Sequence, residues 1–330
     1  MAKAMQPILF VKGAKFSERA LLFLGIWLGY GLRDKLNILG MAVLQLVPVI
    51  IRERFSALDE KIEEITERLL RGTVVKIDDI KYAILDRESF LIVSPEYYEV
   101  RFMPIWFKPR RGDVLVDIGA HIGKYTVTAA KLVGNEGMVV AIEPCPVNYH
   151  TLLRNIGFNK LQNVIALNFA AWDEDCELKL FTGDTAGHHS AKINRGLGGF
   201  TVKAKVMDHI LKELHVGRVD WIKIDVEGAE CEVLYGLEEI ISKHKPKMII
   251  EVFYENLDEM KRFMKECEYG LIRISPLFEK NAYFLCIPFS HARKILIRSS
   301  TDSGPISAII FRIRTTKGLI GSIPSSVHLQ

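Results

Sequence analysis

The spacing of apolar residues divides this chain into four stretches. Residues 20–32 and 36–51 are two uncharged apolar runs, separated by Arg33, Asp34 and Lys35. The first run is apolar on every helical face, a pattern that signals burial against protein or against lipid. Residues 55–71 differ. Phe55, Leu58, Ile62, Ile65 and Leu69 recur at helical spacing with charges between them, and Gly72 follows. One amphipathic helix is expected there, completing an N-terminal helical region over 1–71. Residues 72–111 read as a lead-in. Strands at 74–77 and 80–85 flank a turn at Asp78 and Asp79, and a short helix over 96–103 is stopped by Pro104.

From Gly112 the period alternates. Short β-branched runs at 114–116, 138–142, 164–167, 221–224, 248–252, 271–274 and 283–287 read as strands. Helical spacing occupies 124–132, 147–156, 229–242 and 257–266, and a strand pair at 178–181 and 202–206 is inserted. This alternation predicts an α/β domain over 112–287, with a mostly parallel sheet and helices on both faces. Residues 288–330 form a basic tail. It carries one candidate strand at 308–313, and its Gly, Ser and Pro content argues for loop.

Composition narrows the class. A net charge of +4 over 330 residues is too weak for a nucleic-acid footprint, so no nucleic-acid partner is expected. The five cysteines, Cys145, Cys176, Cys231, Cys267 and Cys286, show no metal-ligand spacing. They read as reduced thiols of a cytoplasmic protein, and no metal is expected. Neither apolar run reaches the roughly 20 residues that span a bilayer, and no cleavage site marks a signal peptide. Two readings of residues 20–51 remain open: helices packed on the domain or in a homo-oligomer, and a peripheral membrane anchor with Trp27 and Tyr30 near the interface.

The chemistry concentrates at strand ends. The run Val114-Leu-Val enters Asp117, and Gly119 and Gly123 open a helix. In an open α/β sheet a ligand sits over that first turn. The glycines are expected to let the backbone approach the ligand, and the helix N-terminus to favour a carboxylate. His121 stands where a dinucleotide fingerprint needs its second glycine, which argues against a pyrophosphate and against a nicotinamide-dependent oxidoreductase. Glu143, at the end of the next strand, is placed to accept two ribose hydroxyls. The small residues around Ala170, with Trp172, suit a flat base. The run Asp220-Trp-Ile-Lys-Ile-Asp-Val-Glu-Gly-Ala-Glu230 then brings Asp225, Glu227 and Glu230 to the same crevice.

These segments, DIGAHIG (117–123), AIEPCP (141–146), VKAKVMD (202–208), DWIKIDVEGAE (220–230) and PKMIIEVF (246–253), resemble the FkbM-type family of class I S-adenosylmethionine-dependent methyltransferases. The resemblance covers about 72–287. It implies a Rossmann-like seven-stranded fold, S-adenosylmethionine as cofactor, and methylation of an oxygen, often a hydroxyl of a sugar or natural product. By similarity, Asp117, Gly119 and Gly123 shape the cofactor site and Glu143 holds the ribose. Ala120, His121, Ala170 and Asp225 complete the expected cofactor set.

A hydroxyl is a weak nucleophile, so a base is expected. Asp225 is the first candidate, then Glu227, His189 and His121. His188 and His189 lie in the loop TGDTAGHHS and also read as ordinary loop histidines. A divalent ion on Asp225 and Glu251 is the metal-dependent alternative. The expected acceptor is a hydroxyl-bearing small molecule, glycan or lipid-linked glycan. The alternatives are a cofactor-binding protein without catalysis and a methyltransferase acting on a non-hydroxyl acceptor.

Overall fold

A computed structural model describes residues 28–44, 55–94, 103–183, 189–194, 196–275 and 280–291. Much of the two N-terminal apolar runs, the expected helix at 96–102, His188 and the tail from 292 lie outside the described residues. The fold below belongs to one compact unit ending at Phe289.

Seven strands form the main sheet: β3 (Val114–Ile118), β4 (Met138–Ile142), β5 (Val164–Leu167), β9 (Trp221–Ile224), β10 (Lys247–Phe253), β11 (Tyr269–Arg273) and β12 (Asn281–Pro288). Their order is β11-β12-β10-β9-β3-β4-β5. The five strands from β10 to β5 run parallel, and β12 is antiparallel to both of its neighbours. Strand order reverses between β3 and β9, which opens a crevice beyond their carboxyl ends.

The strands are apolar because both faces are covered. Val116, Ile118, Ile222 and Ile224 join a core with α6 (Met207–Glu213), α7 (Glu230–Tyr235), α8 (Glu238–His244) and α9 (Leu257–Glu266). Leu115, Val139 and Trp221 face the other way, against Tyr125, Ala129 and Val133 of α4 (Lys124–Val133). The alternating pattern predicted the parallel sheet with helices on both faces, and the seven strands in this order are the class I methyltransferase architecture that the resemblance implied.

The N-terminal elements pack on that face. They are α1 (Leu32–Leu44), α2 (Ser56–Leu70), the hairpin β1 (Val74–Ile77) and β2 (Ile80–Ala83), and α3 (Arg87–Val93). Ile38, Val75, Tyr82 and Phe90 share a buried cluster with Ile122 and Val127. Asn155, on α5 (Pro146–Phe158), fastens the hairpin to the turn after β3. It accepts from Ala83 N at 2.6 Å and donates to Ile122 O at 2.7 Å.

Four local expectations change. β3 extends through Asp117 to Ile118, so that carboxylate lies within the strand. The single helix expected over 229–242 is two, α7 and α8, broken at Gly236. A Cβ on Gly236 would stand 2.1 Å from the Trp172 carbonyl oxygen, and Asp208 caps α8 by accepting from Glu239 N and Ile240 N. The inserted pair, β7 (Cys176–Phe181) and β8 (Gly199–Val206), gains a third strand, β6 (Ala170–Trp172). Residues 103–106 are helical, so the helix does not stop at Pro104.

Among the described residues no helix is long and apolar enough to cross a membrane.

Candidate active site

The turn after β3 is shaped by protein contacts. A Cβ on Gly119, whose φ is +76°, would lie 1.8 Å from the Asp225 carbonyl oxygen. On Gly123, φ +91°, it would lie 2.5 Å from Leu152 Cδ1. Both glycines are therefore required by neighbouring chain, whatever approaches the turn from the crevice. The N–H groups of Gly119 and Ala120 donate to the Ile142 carbonyl at 3.0 and 2.9 Å. Asp117, fully buried, accepts from Thr126 Oγ1 at 2.6 Å in the first turn of α4. Asp117 thus lies against the helix N-terminus through the Thr126 hydroxyl. Burial raises the Asp117 carboxyl above its usual value, against the opposing pull of Lys223 and Thr126.

Glu143 follows β4 directly. Its Oε2 accepts from His121 N at 2.7 Å, and its Oε1 from Cys145 N at 2.9 Å and Asn148 Nδ2 at 3.4 Å. Burial dominates and pushes its carboxyl up to about 7, although these donors pull the other way. His121 adopts a left-handed φ of 51°, which aims its N–H at Glu143. Burial lowers the His121 imidazole to about 4, so the ring is neutral at pH 7.

Across the crevice, β9 delivers Lys223 and the turn after it delivers Asp225 and Glu227. Lys223 is 3% exposed, although it sits in a central strand. Its Nζ lies 3.1 Å from Asp225 Oδ2 and 3.4 Å from the Gly119 carbonyl oxygen. It also stands 4.9 Å from the Tyr125 ring centre. Burial alone would raise Asp225; the Lys223 charge and hydrogen bonds with Glu251 and Lys223 hold it below the usual carboxylate value. Glu251, on β10, accepts from Asn281 Nδ2 at 2.8 Å. Among the described residues Asp225, Glu227 and Glu251 each bring one oxygen within 4.8 Å of the others. Such a group suits a divalent ion, but here a lysine ammonium already supplies positive charge at Asp225.

One cavity of about 200 Å³ unites these groups. Of the expected cofactor residues, Gly119, Ala120, His121, Glu143, Ala170 and Asp225 line it, whereas Asp117 and Gly123 do not. Glu227 and His189, both expected as bases, also line it. His189 Nδ1 accepts from Gly183 N at 3.1 Å, which leaves the ring proton on Nε2 and makes this ring a donor rather than a base. Glu230 does not line the cavity. It braces the turn, accepting from Gly228 N at 2.9 Å and Asn256 Nδ2 at 2.6 Å.

Several lining residues escaped the sequence reading: Lys223, Tyr125, Asn281, Tyr283, and Glu88 and Ile92 of α3. For Lys223 a signal existed, a lysine inside an otherwise apolar run. The residues fit S-adenosylmethionine. Glu143 presents an acceptor carboxylate to the cavity, as a ribose diol requires. Ala170, Ala171 and Trp172 give a low wall for a flat base. Asp225 offers negative charge toward a sulfonium.

Residues 117–271 match the family described as "Methyltransferase FkbM domain". Methyltransferase 1 of Beauveria bassiana is 27% identical over 146 residues, covering 38% of this chain and 58% of that protein. Hexuronic acid methyltransferase AglP of Haloferax volcanii is 29% identical over 125 residues, covering 38% of this chain and 50% of that protein. The chain thus spans about half the length of these curated relatives. Among solved structures, methyltransferase FkbM from Methylobacillus flagellatus KT aligns at 17% identity with a TM-score of 0.38, over 82% of this chain and 60% of that one.

Proposed function

Residues 117–271 are a methyltransferase FkbM domain, whose cofactor is S-adenosylmethionine, and from that premise we propose that the protein is an O-methyltransferase. Its acceptor is a hydroxyl on a sugar, glycolipid or small metabolite. The observation that carries this reading is the single cavity. Glu143 and the turn after β3 line it together with Asp225, Glu227, Glu251 and Asn281, polar groups able to bind hydroxyls. A hexuronic acid methyltransferase among the relatives supports a sugar acceptor.

S-adenosylmethionine supplies an activated methyl, so the protein's work is chiefly to position the acceptor. In this proposal Glu143 accepts the ribose hydroxyls. Asp225, paired with Lys223, accepts a hydrogen bond from the acceptor hydroxyl, orients its oxygen and takes its proton as the methyl transfers. Glu227 and the His121 ring are the alternative bases, and His189 Nε2–H donates to the acceptor. Its expected place in the cell is the cytoplasm; Ile38, Met41 and Ala42 of α1 pack on the domain, and the opposite face of that helix is the part of residues 20–51 proposed to touch a membrane surface without crossing it. Leu32, Leu36, Leu39 and Val43 form an exposed apolar stripe on α1 that favours such contact, and flotation with anionic vesicles tests it.

The deciding experiment supplies methyl-labelled S-adenosylmethionine with sugar acids, glycans and lipid-linked glycans. The product methyl is then located by NMR. Label on oxygen supports the proposal, and label on nitrogen or carbon replaces it with a non-hydroxyl acceptor. Binding of the cofactor with no transfer to any acceptor, including extracts of a deletion strain, favours a binding protein without catalysis.

A further inference from the structure

We propose that Lys223 sets the charge balance of the cavity floor and thereby governs how strongly the site distinguishes the sulfonium cofactor from its neutral demethylated product. The inference rests on the cofactor assignment and concerns a residue of the DWIKIDVEGAE segment to which the sequence reading gave no role.

Position comes first. In the register of the parallel pair β3 and β9, Lys223 lies opposite Asp117. Both side chains are buried, with Lys223 Nζ 3.9 Å from Asp117 Oδ1. The same ammonium reaches Asp225 Oδ2 at 3.1 Å and the Gly119 carbonyl at 3.4 Å. It therefore joins both turns that enclose the crevice. Burying a lone ammonium is costly, and only this set of acceptors makes it tolerable. Lys223 and Asp225 also line the cavity, so their charges act on whatever it holds.

Electrostatics gives the consequence. The cofactor and its demethylated product differ by one methyl group and one positive charge. Their shared adenosine and amino-acid parts meet the same contacts. The ratio of their affinities therefore reports the local potential, while a loss of shape shifts both alike. Asp225 attracts the sulfonium, and Lys223 offsets that attraction. Without the offset, the floor would favour the charged cofactor over the transition state, in which that charge is being lost. Lys223 thus keeps the carboxylate from holding the sulfonium too tightly.

The test is calorimetric titration of S-adenosylmethionine and of its demethylated product on the full chain at pH 8. Lys223→Met should raise the preference for the charged cofactor roughly tenfold, as expected for one charge acting across a partly solvated cavity. Asp225→Asn should lower it by a similar factor. The double variant should return to within about threefold of the parent ratio, since the two charges cancel. Should Lys223→Met fail to fold, Lys223→Gln removes the charge while keeping a donor for the Gly119 carbonyl, and the same ratio is read. Unchanged ratios in folded single variants that still bind both ligands would overturn the proposal and leave Lys223 a structural brace. A parent protein that binds neither ligand instead overturns the cofactor assignment.

Discussion

The main-chain N–H of His121 donates to Glu143 Oε2 at 2.7 Å, so the residue that stands where a dinucleotide fingerprint has a glycine also steadies the carboxylate proposed to hold the ribose. Its left-handed backbone is what makes the bond, and its side chain faces the same cavity. The turn and the second strand end thus form one unit.

Cofactor binding should be proton-linked through Glu143. Its carboxyl sits near 7 in the folded chain against an ordinary 4.5, raised by burial. Because the folded value is the higher one, the free protein holds a proton there between these limits. This group's contribution to stability is then greatest below about 4.5 and falls as pH rises to about 7. Hydroxyl donors favour the charged form, so binding releases the proton. Affinity for S-adenosylmethionine should increase from pH 5.5 to 7.5 and then level, with protons released at pH 6 in calorimetry across buffers of different ionisation heat. Glu143→Ala should abolish both the proton release and most of the thermal stabilisation by cofactor. A flat profile would count against Glu143 as the ribose ligand.

Asn155 should matter to the N-terminal hairpin as much as to its own helix. It satisfies the buried Ala83 N–H and the Ile122 carbonyl together. Asn155→Leu would leave both unpaired, at about 1–3 kcal/mol each. Urea unfolding should show a loss of roughly 2–5 kcal/mol on that basis. Hydrogen exchange should quicken in β2. A loss under ~1 kcal/mol would mean that water replaces the amide at little cost.

How much of this was legible in the sequence depended on whether the signal was local. Val114 to Val116 and Trp221 to Ile224 read correctly as strands because a doubly covered parallel strand is a continuous apolar run. The carboxylates at strand ends read correctly because topology alone brings those ends together. Asp117 looked like a strand terminus, since a charge ordinarily marks exposure; Lys223 and Thr126 are what let it be buried. The break at Gly236 was hidden because its cause, the Trp172 carbonyl, is distant in sequence. Glu88 and Ile92 carry no local mark of a site. They reach the cavity only because α3 packs beside the turn after β3, and no periodicity reports that.

Turnover should survive chelation. Asp225, Glu227 and Glu251 have the spacing for a divalent ion, but Lys223 Nζ stands 3.1 Å from Asp225 and repels a second cation. Activity after exhaustive treatment with a chelator should stay within about twofold of the untreated protein, since removing an ion that does no chemistry leaves the barrier unchanged. A large loss restored by Mg²⁺ would replace this view with metal-assisted orientation of the acceptor.

Two glycine substitutions should separate the demands of backbone conformation from those of close packing. Gly72 and Gly119 share nearly the same φ, +80° and +76°. Around Gly72 nothing lies within 4 Å of an added Cβ, whereas at Gly119 the Asp225 carbonyl oxygen lies 1.8 Å away. Gly72→Ala should therefore cost only the left-handed conformation, about 1–2 kcal/mol. Gly119→Ala must also push β3 and β9 apart at their carboxyl ends, which a close-packed interior resists. Thermal unfolding should show a modest drop for the first. The second should either fail to fold or lose cofactor binding along with stability. A stable Gly119→Ala protein that binds cofactor as tightly as the parent would show that the two strand ends can separate, and that the contact at Asp225 does not fix the site.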